Sequence, residues 1–381
     1  MATNKITSRP FATGPLSPMD AVVALYGEGQ DETARAIVAA LNRRIFEGAP
    51  PRPSNLLRRA LGRFAFRLMN RTTTCETRTG PDGHPVAVYR NSILERSGHP
   101  YASTLLEPSR ADTASFVEGA APMNAVYMML IPEIYKNAGT WDHIMLDAVQ
   151  SRDVQWRLVW ETRMTHDLAS RRLRAGQAVR LKAAAAGTGL SMILVTERLL
   201  QEGYDPRLIS VSITDREPGN IEKALRLINK LPAAGGHLAL HTGSPHGIVL
   251  HIEDLLHASS KTAHDARFDV VTAMGILEYF PGFTLTTTEE HLGLEPPDGG
   301  PQAVDVVAAL SAMTAAGGFL ITNSFRTCSA IRTMEVFGKR FRYRAREQMQ
   351  DLLATGGFAP TGRAESGNIF DVEVFEKKND V

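Results

Sequence analysis

The chain has 381 residues, 43% hydrophobic and 22% charged, and its 42 Lys and Arg nearly cancel 41 Asp and Glu to leave +1. At roughly 150 residues per domain this length predicts two domains, and the charge balance argues against a surface that grips nucleic acid or an acidic membrane as a whole. Two cysteines, Cys75 and Cys328, are too few for a disulfide framework or a four-thiolate zinc site, residues 1–18 lack a signal-peptide pattern, and no run of roughly 18 uncharged apolar residues occurs, so a reduced, cytoplasmic protein is expected.

In chain order, Asp31 to Glu47 places Ala34, Ile37, Val38, Leu41 and Ile45 at helical spacing, with Asp31 as the expected cap and Gly48 as the stop. GAPPRPSN at 48–55 reads as a stiff linker. Ser54 or Asn55 can then cap a helix to about Met69. It carries Leu57, Ala60, Leu61, Phe64 and Leu68 on one face and Arg59, Arg63 and Arg67 on another. Thr72–Arg78 and His84–Arg90 flank Gly-Pro-Asp-Gly and predict a β-hairpin near 72–90. Residues 100–175 read as helical, with breaks at Pro108, Pro122, Pro132 and Gly139. Helices followed by a hairpin suggest a winged-helix-like module.

From Ala178 strand-length apolar runs alternate with helices. Strands are expected at Val179–Ala186, Leu208–Thr214, Gly247–His251, Phe268–Met274 and Gly318–Asn323. Helices are expected at Leu190–Glu202, Asn220–Leu231, Val304–Ala315 and Glu347–Ala354. This alternation predicts an α/β fold, a parallel sheet with helices on both faces. Gly367–Glu376 reads as a strand with no following helix, and so as an antiparallel partner at the sheet edge. The expected division is a mostly helical domain, 1–175, and an α/β domain, 176–381.

The sharpest motif is Ala185-Ala186-Gly187-Thr188-Gly189-Leu190-Ser191, between a strand and a helix. Glycines there let backbone approach a ligand closely and leave N–H groups free at the helix start. Asp215 ends the next strand, 28 residues after Gly187, where a carboxylate can accept hydrogen bonds from ribose hydroxyls. Glu253 and Asp254 follow the third strand, where a carboxylate can meet an adenine amino group.

Taken in order, these segments resemble the class I S-adenosylmethionine-dependent methyltransferases over about residues 176–377. AAGTGLS is similar to that family's first motif, SITDREPGNIEKA (212–224) to its second, and HIEDLL (251–256) to its adenine-side motif. RFDVVTAMGILEYFP (267–281) is similar to its fourth strand and following loop. GGFLITNSF (317–325) and GNIFDVEVFE are similar to its fifth strand and reversed last strand. The resemblance implies a Rossmann-like sheet with an antiparallel last strand. It implies S-adenosylmethionine as cosubstrate, held by Ala185, Gly187, Thr188, Gly189, Asp215, Asn220, Glu253, Asp254 and Met274. Two features depart from the family. Its usual acidic residue four before the first glycine is Ala183 here, and the preceding glycine is Ala185. Another group must then meet the cofactor's ammonium, with Asn220, Glu278 or an N-terminal residue as candidates. The Gly187–Asp215 spacing is also long, implying an extended first helix.

The first half resembles the dimerisation module of small-molecule O-methyltransferases through NLLRRALGRFAF (55–66) and RTGPDGHPVAVYR (78–90). That likeness implies a homodimer and a cover over a small-molecule pocket. Six arginines and no acids lie between Glu47 and Glu76, a pattern a DNA-binding helix would also show. A solvated or subunit-facing helix side is the simpler account, and neutrality over the whole chain, with a C-terminal half that reads as an enzyme, weighs against nucleic acid.

Methyl transfer by direct displacement needs the acceptor held in line with the S–CH₃ bond, and a base where the acceptor is a hydroxyl. In place of the histidine pair common in related O-methyltransferases the sequence carries Leu277-Glu278-Tyr279-Phe280-Pro281. Glu278 and Tyr279 are therefore the expected catalytic residues, with His291 as a substitute base. Tyr127, Tyr135 and Trp141 could set aromatic faces against a sulfonium. Eleven scattered histidines show no zinc spacing, and no metal is expected. No nucleophile elbow or Walker lysine is present. A cosubstrate-consuming cyclase, similar to the azetidine-2-carboxylate synthases, or an aminocarboxypropyl transferase would share this pattern. A noncatalytic cofactor- or DNA-binding regulator is the alternative from another class.

Overall fold

The computed structural model describes residues 15–49, 60, 64, 67–68, 71–79, 85–92, 96, 120–237, 247–256, 267–280, 282, 301–326 and 342–378. Helix α1 (Pro18–Tyr26) has no counterpart among the sequence expectations. Its signal is Ser17-Pro18-Met19-Asp20. Ser17 and Asp20 cap each other's backbone N–H at 3.2 Å each, and Pro18 takes the first helical position. Helix α2 (Asp31–Phe46) buries Ala34, Ile37, Val38, Leu41 and Ile45 as its periodicity requires. Gln30, not Asp31, holds the cap position. Strands β1 (Thr73–Thr79) and β2 (Pro85–Asn91) form the expected hairpin, with Thr73 opposite Asn91. The helix expected to end near Met69 lies outside the described residues except for single positions, as do Pro108, His291 and Cys328.

Helix α3 (Ala120–Met128) contains Pro122 in its first turn, so the expected break there does not occur. A first-turn residue has no intrahelical N–H bond to lose. Pro132 opens α4 (Pro132–Asn137) and Gly139 caps α5 (Thr140–Leu146), so both of those breaks stand. Helix α6 (Val149–Arg174) has 26 residues, about 39 Å at the usual rise, and links the helical half to the sheet.

The sheet follows the alternation. Strand β3 (Val179–Ala183) leads to α7 (Leu190–Gln201) and β4 (Ile209–Asp215). Then come α8 (Pro218–Lys230), the short α9 (Pro232–Gly236), β5 (Gly247–Ile252) and β6 (Phe268–Ala273). Helix α10 (Ala303–Met313), β7 (Thr314–Phe325), α11 (Arg346–Ala354), β8 (Phe358–Ser366) and β9 (Phe370–Lys377) complete it. The strand order is β5-β4-β3-β6-β7-β9-β8. Strands β3 to β7 pair parallel, and β9 runs against both β7 and β8. This is the Rossmann-like sheet with one reversed strand that the class I methyltransferase resemblance implies.

Two expectations change and one strand is added. Strand β9 is not at the edge, because β8 lies outside it. Strand β8 reads poorly because Pro360 and Gly362 interrupt it. An edge strand tolerates proline, and the register slips between Pro360 and Ala364. Helix α7 has only 12 residues, so the extra length before Asp215 lies in the turn and 3₁₀ segment at Pro206–Leu208 rather than in a longer helix.

Two apolar layers sandwich the sheet. On one face α1, α2, α3, α6, α7 and α8 share a continuous core with Leu181, Ile213, Val270, Ile321 and Val374. On the other, α10 and α11 pack on Val271, Ala273, Leu320 and Phe375. Neighbouring residues Val270 and Val271 enter opposite layers, as strand geometry demands. The first core continues across the turn at Ala175–Gln177, where the two domains were expected to divide. Polar ties reinforce it. Lys230 donates to the carbonyls of Ala24 (2.9 Å) and Gly27 at the end of α1, and Arg35 donates to the Lys230 carbonyl at 2.6 Å. Buried Asp153 on α6 accepts from Asn368 Nδ2 at 2.8 Å and from the Ile369 and Phe370 amides at the β8–β9 turn.

Candidate active site

In an open parallel sheet, ligands settle beyond the carboxyl ends of the strands where the strand order reverses. Here that place lies between β3 and β6. The chain leaves β3 through Ala184, whose N–H bonds the Thr272 carbonyl of β6 at 2.9 Å. It then swings to β4, where the Ala186 N–H bonds the Thr214 carbonyl at 2.9 Å. The turn needs left-handed backbone at three positions, Ala185 (φ 50°), Gly187 (φ 56°) and Gly189 (φ 64°). Gly189 touches the sheet, since a Cβ there would stand 2.6 Å from Ile213 Cγ2. Gly187 faces open space, with nothing within 4 Å of its would-be Cβ. The free N–H groups at the start of α7 follow directly.

Asp215 ends β4 and holds this turn. Its Oδ2 accepts the Gly187 N–H at 2.7 Å, and its Oδ1 accepts the Glu217 N–H at 2.9 Å and Asn220 Nδ2 at 3.2 Å. Asn220 is buried and donates its Nδ2 to Asp215, and so positions that carboxylate. A carboxylate has about four acceptor sites, and three bonds leave room for another donor.

After β5 the two expected carboxylates part. Glu253 turns inward to Lys182 on β3 at 2.8 Å. The pair is mostly buried, with the Lys182 side chain 5% and the Glu253 side chain 15% exposed, and it holds one oxygen of Glu253 on the β3 side. Asp254 stays exposed, its Oδ1 accepting the Leu256 N–H at 3.0 Å. Ile252, 61% exposed, presents an apolar surface next to Asp215's strand end.

Thr188 is buried under the helical half. Tyr26 Oη of α1 lies 3.1 Å from both Thr188 Oγ1 and Asn124 Oδ1 of α3, and Thr188 Oγ1 lies 3.3 Å from Asn124 Oδ1. Two helices outside the sheet thus grip the glycine turn.

The loop after β6 carries the second group of residues. Gly275 donates its N–H to Asn323 Oδ1 at 2.8 Å, and a 3₁₀ turn follows at Leu277–Tyr279. Buried Arg344 clamps this loop, donating to the carbonyls of Leu277 (2.7 Å), Phe280 (2.6 Å) and Gly282 (2.8 Å). The Arg342 N–H bonds the Glu278 carbonyl at 2.8 Å. The Glu278 side chain is buried, and burial pushes its carboxyl up, countered mainly by Arg157. Tyr279 packs against the cluster of Phe325, Tyr343, Ile369 and Phe370, and burial pushes its phenol well up, so it stays neutral.

Arg157 and Glu161 of α6 and Tyr127 of α3 complete the group. A Cβ on Gly275 would lie 3.0 Å from Arg157 Nη1 and 3.5 Å from Glu278 Oε1, so those two side chains flank the glycine. Burial pushes the Tyr127 phenol up, countered mainly by the charge of Arg157. Glu161 accepts from Ser191 Oγ at 2.7 Å, and burial raises its carboxyl too. Tyr127, Arg157, Met274, Gly275 and Ile276 each keep part of their surface accessible.

Most expected site residues therefore converge, but Tyr135 does not join them. Its hydroxyl donates to Asp147 Oδ2 at 3.0 Å and its ring meets His143 edge-on. The side chain of Trp141 lies outside the described residues. Arg157, Glu161, Tyr26, Asn124, Asn323 and Arg344 were not among the expected residues. The signal available for the first two was their four-residue spacing within an otherwise apolar stretch of α6, WRLVWET. Among the described residues no group of three His, Cys, Asp or Glu could hold a metal ion, and no helix is long and apolar enough to cross a membrane.

No protein-family model and no curated protein matches the sequence. Among solved structures, a "possible exported protein" from Bordetella parapertussis is similar at 14% identity and a TM-score of 0.50, covering 94% of this chain and 97% of that one. An O-methyltransferase family protein from Burkholderia thailandensis has 15% identity and a TM-score of 0.38, covering 96% and 89%. Magnesium protoporphyrin IX methyltransferase from Synechocystis, with bound S-adenosylmethionine, has 14% identity and a TM-score of 0.35, covering 59% and 83%. At these identities the first likeness speaks for the fold alone.

Proposed function

We propose that this chain is an S-adenosylmethionine-dependent enzyme that transfers a methyl group to a small-molecule acceptor by direct displacement. The observation that carries the reading is the bond from the Gly187 N–H to Asp215 Oδ2. It joins a left-handed glycine turn to a carboxylate at the end of the neighbouring strand, at the point where the sheet order reverses, an arrangement suited to a ribose. Open space over Gly187 admits the ligand, Asp215 accepts from the sugar hydroxyls, and Ile252 and Asp254 serve the base.

Bound there, S-adenosylmethionine would supply an electrophilic methyl carbon on a sulfonium. The chain's own part is to hold the acceptor in line and exclude water. Glu278 is the group placed to take a proton from an acceptor hydroxyl or amine. Burial raises its carboxyl above the ordinary range, which makes the carboxylate a stronger base. As the acceptor heteroatom bonds to the methyl carbon, the C–S pair returns to sulfur and the acceptor's proton passes to Glu278. The helical half acts as the cover, since Tyr26 and Asn124 sit on Thr188.

Incubation of the purified chain with S-adenosylmethionine, alone and with a panel of phenols, amines and carboxylic acids, tests this by mass spectrometry. S-adenosylhomocysteine formed only with an acceptor is the expected result. Methylthioadenosine released from the nucleoside alone would replace methylation by cyclisation. The absence of both, with no binding in calorimetry, would overturn the reading.

A further inference from the structure

Arg157 of α6 has no task in the reaction above. Its guanidinium lies over the Phe370 ring, 5.1 Å from the centroid. Phe370 opens β9 opposite Phe325, the last residue of β7. Arg157 therefore stands past β6, on the side of the sheet away from the Asp215 turn. The platform beneath it is fixed from two sides. Buried Asp153, one turn earlier on α6, accepts the Phe370 N–H at 3.2 Å, and the Phe325 ring tilts against Phe370 at 4.8 Å. Gly275 makes room for the guanidinium. Its backbone is left-handed (φ 74°), and a Cβ there would lie 3.0 Å from Arg157 Nη1 and 3.5 Å from Nη2. The same point is 3.5 Å from Glu278 Oε1.

Arg157 is held in place without being neutralised. An arginine at this depth normally settles into two-pronged contact with a carboxylate. Among the described residues no carboxylate reaches ion-pair distance from Arg157, and part of its surface is accessible. Arg344, by contrast, is buried and donates to three carbonyls. A guanidinium over an aromatic face keeps N–H groups at its rim for a planar anion. One guanidinium balances the single charge of a carboxylate, whereas a phosphate group brings about 1.5 to 2 charges. The nucleoside, in the reading above, takes the β3–β4 turn and the end of β5. The ends of β6, β7 and β9 remain for the acceptor, which in-line displacement requires beyond the methyl carbon.

We infer that Arg157 sets the specificity for the acceptor, which is a small organic acid whose carboxylate docks on Arg157 while its hydroxyl or amine faces Glu278. The assignment rests on the methyl-transfer reading above and names the substrate class of that same site. Arg157 and Glu278 flank one glycine, so the acceptor's two groups lie a few bonds apart, as in a hydroxy or amino aromatic acid.

Calorimetry on the full chain saturated with S-adenosylhomocysteine tests it with matched pairs: salicylate and salicylamide, anthranilate and anthranilamide, mandelate and mandelamide. In at least one pair the acid should bind at least about tenfold more tightly than its amide. Arg157→Met should weaken that acid about 10- to 100-fold, the value of one charge-assisted bond. It should leave the amide and S-adenosylhomocysteine itself within about twofold, the spread of uninvolved sites. Arg157→Lys, which keeps the charge without the fork, should fall between. Acids that bind no better than their amides overturn the assignment, as does an acid preference that survives Arg157→Met. Equal weakening of S-adenosylhomocysteine by Arg157→Met also overturns it and gives the arginine to the cosubstrate. Wild type that binds S-adenosylhomocysteine but none of the probes overturns the acceptor class and leaves the nucleoside reading intact. Wild type that binds no S-adenosylhomocysteine overturns both. Should Arg157→Met misfold, the wild-type ratio of acid to amide and the Arg157→Lys variant decide.

Discussion

Replacing Gly187 and Gly189 separately by alanine separates the demands of backbone from those of packing. Both sit at positive φ, 56° and 64°, where an L-residue costs about 1–2 kcal/mol. The added methyl at Gly187 meets nothing within 4 Å, whereas at Gly189 it lands 2.6 Å from Ile213 Cγ2 and 3.2 Å from Cδ1. Ile213 is fully buried in the core of β4 and has little room to yield. Overpacking of that kind adds about 1–3 kcal/mol. Gly187→Ala should therefore cost about 1–2 kcal/mol and Gly189→Ala about 2–5 kcal/mol. The smaller unfolded-state entropy of alanine offsets both alike and drops out of the difference. Urea unfolding followed by circular dichroism reads this difference at constant m-value. The same open space makes Gly187→Ala the better probe of the ligand. The folded variant should bind S-adenosylhomocysteine at least about tenfold more weakly, since its methyl group stands in the ligand's approach. Equal stabilities would refute the packing argument, and retained affinity in Gly187→Ala would refute the turn as the ligand's cradle.

Ala185 holds left-handed backbone without being glycine (φ 50°), so Ala185→Gly should stabilise the chain by up to about 1 kcal/mol in the same unfolding assay. Lys182→Met leaves Glu253, 15% exposed, without its 2.8 Å partner. A loss of about 1–3 kcal/mol is expected, much of it recovered in the double variant with Glu253→Gln. Burial raises the Glu278 carboxyl above its ordinary 4.5. The protonated form therefore contributes stability that is fully present below the ordinary value and is lost as pH rises through the raised one. Glu278→Gln stays neutral at every pH and should gain on the wild type between mildly acidic and neutral pH. A difference in unfolding free energy that is flat across that window would show an unshifted carboxyl.

The glycine turn, Asp215 and the alternation of strands and helices were legible in the sequence because each is local. A strand's period of two, a helix's 3.6 and a turn's need for left-handed backbone are written within a few residues. Strand β8 was not legible, because an edge strand buries little and its Pro360 and Gly362 read as loop. Helix α1 was hidden by its length, although Ser17 and Asp20 marked its start. Partnership across the chain was beyond local pattern altogether. HIEDLL offers two carboxylates, and only the approach of Lys182 from β3 turns Glu253 inward and leaves Asp254 outside. Ala183 showed that an acid was missing from the strand. Glu161 stands 22 positions earlier, on a helix whose charged residues read as one more polar face. Only packing of α6 against α7 brings it beside Ser191. By itself the sequence determined the elements and the turn, since those follow from local backbone preference and burial. The tertiary structure decided which buried charges meet, because a charge in the interior is set by neighbours that the chain brings from far away.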